Sequence, residues 1–117
     1  MNKPTSDEYN PFFKNYIDLV PKGDLVSMMI ENLEVITSIF KSIQNDLGNY
    51  KYAPGKWSIK ELLAHIIDSE RVFAYRALVC IRIDDTIVIP NMDENLYAEN
   101  RDVSSIELSS LIEEFEF

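Results

Sequence analysis

The stretch YAPGKWSIKELLAHIIDSERVFAYRALVCIR, residues 52–82, decides the fold. Pro54-Gly55 punctuates the chain as a turn. Ser58-Ile59-Lys60-Glu61 then fits a capping box, in which Ser58 accepts from the backbone N–H of Glu61 and the Glu61 carboxylate reaches back. Behind it, Leu62, Leu63, Ile66, Ile67, Phe73, Ala74, Ala77, Leu78 and Ile81 recur at the helical period. No Pro or Gly interrupts residues 58–82, so the spacing predicts one helix of about 25 residues, roughly 37 Å long at 1.5 Å per residue. A helix of that length suits a bundle.

This helix carries the only histidine of the protein, His65. On a wheel advancing ~100° per residue, the apolar stripe centres ~130° from His65. His65 therefore falls on the flank, in a row with Leu62, Ser69, Val72 and Arg76. Two readings stand: a His facing a groove between helices, or a boundary His with no special role. Glu70 falls near ~140°, inside the stripe. A buried carboxylate needs a partner or a raised pKa. Arg71, Arg76, Arg101 or a Tyr hydroxyl could hold Glu70 to fix helix register, and a catalytic role is the alternative. A pocket between helices lined by His65, Glu70 and Tyr75 could take a small-molecule ligand without metal.

Working outward, Asp24 is a good N-cap for a first helix over 24–47, along which Leu25, Met29, Leu33, Ile36, Phe40, Ile43 and Leu47 form a near-heptad core stripe. Gly48 suits its C-terminal stop. Before it, residues 1–23 read as an aromatic arm carrying Tyr9, Phe12, Phe13 and Tyr16, in which Pro4, Pro11 and Pro21 argue against a continuous helix. The arm is expected to drape its aromatics over the bundle. Residues 83–103, with Asp84-Asp85, Ile87-Val88-Ile89, Pro90 and Asp93-Glu94-Asn95, read as a long connection. Asp93 and Glu94 either cap and solvate a turn or supply metal-ligand or acid/base groups. Ser104-Ser105-Ile106-Glu107 offers a second capping box for a helix over 104–117. Glu113, Glu114 and Glu116 then lie where the helix dipole favours cations, and no C-cap follows. The pattern reads as an incomplete helix.

Composition bounds the function. The 117 residues suit a single domain, 1–117, and 46% hydrophobic content with three Gly and five Pro argues for a folded helical chain. A net charge of −9 argues against nucleic acid and anionic membranes as partners. The single cysteine, Cys80, excludes an intrachain disulfide, fits a reducing compartment and is expected at a core position rather than as a nucleophile. With no leader pattern and no apolar run near 18 residues, the expected location is the cytoplasm.

The run Tyr52-Ala53-Pro54-Gly55-Lys56-Trp57-Ser58-Ile59-Lys60-Glu61, with His65, Asp68, Glu70-Arg71 and Phe73-Ala74-Tyr75-Arg76-Ala77, resembles the DinB-like superfamily, which includes the YfiT-type proteins. Tyr16-Ile17-Asp18-Leu19-Val20-Pro21, Asp93-Glu94-Asn95 and residues 111–115 match the same pattern. The resemblance implies an all-α, antiparallel four-helix-bundle type, often dimeric. It also implies a metal-dependent enzyme of hydrolase or thiol-transferase kind that uses a divalent Zn or Ni ion. In that family three His ligands hold the metal. His65 matches the one on the second helix, and the other two form a His-x-x-x-His pair on the fourth, which this sequence does not contain. The expectation is therefore a DinB-type chain with about three helices, truncated before the fourth. His65 is then an incomplete metal site, the metal is absent, and a homodimer covers the open bundle face. A non-catalytic dimerisation or small-ligand-binding module is the alternative.

Overall fold

The computed structural model describes residues 3–82, 86–89 and 91–117. Expectations attached to Asp84-Asp85 and Pro90 lie outside the described residues. Among those described there are five α-helices, two 3-10 helices and no strand. The helices are α1 (Lys14–Leu19), α2 (Leu25–Lys41), α3 (Ile59–Ile81), α4 (Glu94–Asn100) and α5 (Leu108–Glu116). The chain falls into two compact units, Met1–Ile36 and Thr37–Phe117.

The all-α class holds, but the expectation of about three helices truncated before a fourth, and the four-helix-bundle type that the resemblance implied, are overturned by the five helices among the described residues. The two additional helices are short and sit in stretches expected to be irregular. Pro11 opens a 3-10 turn, Pro11–Phe13, capped by the Asn10 side chain accepting from the Phe12 N–H, and α1 continues from it up to Leu19, before Pro21. The prolines bracket a helix instead of interrupting one, because the first turn needs no N–H from Pro. In the connection after α3, Asp93 accepts from the Leu96 N–H at 3.0 Å and starts α4. Of the two readings of Asp93, capping is the one its hydrogen bond supports.

In the first unit, Phe12 meets Phe13 edge-on at 5.2 Å between ring centres and Tyr16 at 6.3 Å. Asp24 starts α2 as its composition suggests, accepting from the backbone N–H of Ser27 at 2.9 Å. The helix ends at Lys41 rather than at 47. Ser42 and Ile43 close the last turn with bonds to Ile39 and Phe40 carbonyls, and Gln44 turns extended. A 3-10 helix, Asn45–Asn49, follows.

Tertiary demand accounts for that early stop. The Asn45 amide donates to Glu107 and accepts from the Leu108 N–H at 3.0 Å, so it caps α5 from a distant part of the chain. The local box expected at Ser104 does not form. Instead the Ser104 N–H is taken by Asp102, and its carbonyl accepts from Lys60 and Asn49, each at 3.1 Å. Gly48 is buried against the Lys60 stem, and a Cβ there would stand 2.6 Å from Lys60 Cε. Its absence of a side chain admits the close approach, rather than ending α2.

The core of the second unit is Phe40, Leu63, Ala64, Ile67, Val79, Val103, Leu108, Leu111 and Ile112. It forms where α3 packs on α5, on α4 and on the 3-10 helix Asn45–Asn49. The Ser58 capping box is complete, with Ser58 accepting from the Glu61 N–H and Glu61 accepting from the Ser58 N–H. Burial would raise the Glu61 carboxyl, but Lys51 and Ser58 outweigh it and hold it below the usual range. No described helix is long and apolar enough to cross a membrane.

Candidate functional site

α3 spreads the sequence-derived site residues around its circumference. At ~100° per residue, Glu70 lies ~140° and Tyr75 ~280° from His65. Glu70 and Tyr75 are both exposed. The expected burial of Glu70 fails for a definable reason. The buried positions of α3 are Lys60, Leu63, Ala64, Ile67 and Val79, and all but Val79 belong to its first half. Glu70 belongs to the second half, where the apolar face around it is left uncovered. Cys80, expected at a core position, lies in the same uncovered half and is exposed.

His65 is half-buried, and its ring lies 4.8 Å from Trp57 at a 43° tilt. Its Nδ1 is buried and has no hydrogen-bond partner among the described residues. No described hydroxyl, thiol or carboxylate bonds to Nδ1, so among the described residues this nitrogen has neither a nucleophile to activate nor a group to orient it.

One turn further along α3, Asp68 enters a lattice of ion pairs. Arg101, at the end of α4, donates from Nη1 to Asp68 at 2.7 Å and from Nη2 to both oxygens of Glu114 at 2.9 Å. Arg71 donates to Glu114 at 2.7 Å and stands 3.6 Å from Asp68. Burial pushes the Glu114 carboxyl upward, but the hydrogen bonds and charges of Arg71 and Arg101 outweigh that and leave it below the ordinary range. With Lys41 paired to Glu116 at 2.6 Å, the acidic end of α5 draws its cations from α2, α3 and the segment after α4. That supplies what the helix dipole requires and the local sequence lacks.

Beside this lattice lies a pocket of about 410 Å³, lined by Asp68, Leu96, Tyr97, Asn100 and Arg101. It is an open depression, with Leu96 and Tyr97 exposed along it. Sequence reasoning named Arg101 only as a partner for Glu70 and missed the pocket. The one available signal was Asp93 as an N-cap ahead of Leu96 and Tyr97, which places both on a helix.

The profile of the DinB superfamily matches residues 28–115. The chain belongs to the DinB superfamily. No curated protein and no solved structure matches it. The metal implied by the DinB resemblance does not fit the residues present. Among the described residues no three His, Cys, Asp or Glu side chains come together to hold an ion. The carboxylate following His65 along α3, Asp68, is engaged by Arg101, and the guanidinium groups of Arg71 and Arg101 place positive charge there. The metal-binding and four-helix-bundle descriptions of this DinB chain are corrected accordingly.

Proposed function

We propose that this DinB-superfamily chain is a small-molecule-binding protein that works without a bound catalytic metal. The observation that carries the reading is the pocket of about 410 Å³ between α3 and α4, walled by Asp68, Leu96, Tyr97, Asn100 and Arg101. Its back wall is preorganised: Arg101 is fixed by two carboxylates from two helices, so the polar groups are in place before a ligand arrives. Hydrolase or thiol-transferase chemistry has less support. It needs an activated nucleophile or a bound ion, and His65 stands against Trp57 with no such partner.

A chemically diverse fragment set, followed by amide chemical shifts of the labelled protein, tests the proposal. Saturable shifts centred on Leu96, Tyr97, Asn100 and Arg101 are expected. A set that leaves those amides unmoved would overturn it, as would metal-dependent turnover that disappears in His65→Ala.

A further inference from the structure

We infer that α4 is a strap that closes over α3 and opens from it as a unit, with Arg101 as its latch. α4 is seven residues long and has no buried residue. Among the described elements it packs on α3 alone. A helix this short keeps its shape only while something docks it. Its cap, Asp93, satisfies the Leu96 N–H within the helix, and Asn100 bonds back to the Leu96 carbonyl at 2.8 Å. Arg101, by contrast, ties the end of α4 to two other helices, reaching Asp68 on α3 at 2.7 Å and Glu114 on α5 at 2.9 Å. Immediately beyond this latch the chain is pinned. Val103 is buried, and the Ser104 carbonyl accepts from Asn49 and Lys60, each at 3.1 Å. Arg101 itself is extended, with φ −119° and ψ 90°. A hinge at 101–103 therefore joins a lightly held helix to a fixed anchor.

Segments with few buried contacts open locally at a fraction of the cost of global unfolding. α4 meets that description, whereas Leu63 and Ile67 of α3 lie in the core. Opening has a consequence for the depression beside the lattice. Leu96, Tyr97 and Asn100 ride on α4 and Arg101 stands at its end, so these residues leave Asp68 when the strap opens. Closure assembles the depression, and an occupant touching both walls would favour the closed state. The opening belongs to the chain itself and stands whether or not a ligand binds.

Amide hydrogen exchange of the full chain, without ligand, tests the inference. The Tyr97 N–H, bonded to the Asp93 carbonyl, and its neighbours in α4 are expected to be protected. After correction for intrinsic rates they should still exchange about a hundredfold or more faster than the Leu63 and Ile67 amides, at a rate that low urea leaves unchanged. Arg101→Met should speed α4 exchange about tenfold, the size of one charge-assisted bond. Arg71→Met removes the other cation from the same two carboxylates and spares Arg101, so it should change that exchange by less than about twofold. Should Arg101→Met fail to fold, the wild-type urea series decides: α4 amides that exchange at the core rate, with the core's urea dependence, overturn independent opening. An unprotected α4 overturns the latch, as does an Arg101→Met effect no larger than that of Arg71→Met.

Discussion

The two halves of α3 carry similar apolar content and meet different fates. From Ile59 to Ser69, Leu63 is fully buried and Ala64 and Ile67 nearly so, where the helix packs on α5 and the 3-10 helix Asn45–Asn49. From Glu70 to Ile81 only Val79 is buried, while Phe73, Leu78 and Ile81 are exposed. Helical periodicity reports that a face is apolar; it does not report which stretch of that face finds a partner. Glu70 and Cys80 both lie in the half whose apolar face stays uncovered, so a core assignment from periodicity alone fails for them.

The contrast is sharpest when the same side chain is removed from each half. Leu63→Ala is expected to cost about 2–5 kcal/mol, the range for a fully buried Leu, whereas Leu78→Ala should cost under about 1 kcal/mol. Urea unfolding of the pair measures both. Equal losses would break the comparison and show that the second half of α3 is packed.

Next in size is the lattice at the junction of the halves. Arg101→Met removes the cation shared by Asp68 and Glu114 and leaves two carboxylates held by Arg71 alone. A loss of about 2–3 kcal/mol is expected, because charge-assisted bonds at part-buried groups are withdrawn. A midpoint shift no larger than that of Lys14→Met, whose ion pair with Asp18 is exposed, would show the lattice to be ornamental.

How much of this was legible follows from the range of the interactions. The Ser58 box and the start of α2 at Asp24 were readable, since both depend on residues within one turn. The all-α class was readable from spacing, and family membership from the Tyr52–Glu61 run with His65. The early end of α2 was not, because Asn45 is recruited to cap α5 across the fold. Nor was the pocket, since Asp68, Tyr97 and Arg101 converge only once α3 and α4 are packed. Short helices such as α1 and α4 offer too few turns to show a period; Asp93 caps α4, whereas α1 has no side-chain cap of its own.

Acid titration sharpens the comparison more gently. Glu61 and Glu114 are held below their ordinary values in the folded state. Their contribution to stability is complete above the unfolded-state value of about 4.3 and is lost as pH falls through the lower folded values. Unfolding midpoints should therefore drop below about pH 4, and Glu114→Gln should flatten part of that decline. A decline identical in wild type and Glu114→Gln would show that other carboxylates cause it.

Metal titration tests the central proposal, that this DinB-superfamily chain works without a bound catalytic metal. Calorimetric titration of the stripped protein with Zn²⁺ and with Ni²⁺, repeated on His65→Ala, is the direct measurement. The account predicts no stoichiometric binding at sub-micromolar affinity and no difference between the two proteins, because one imidazole against Trp57 and a carboxylate held by Arg101 are too few free ligands. One tightly bound ion per chain that is lost in His65→Ala would contradict it.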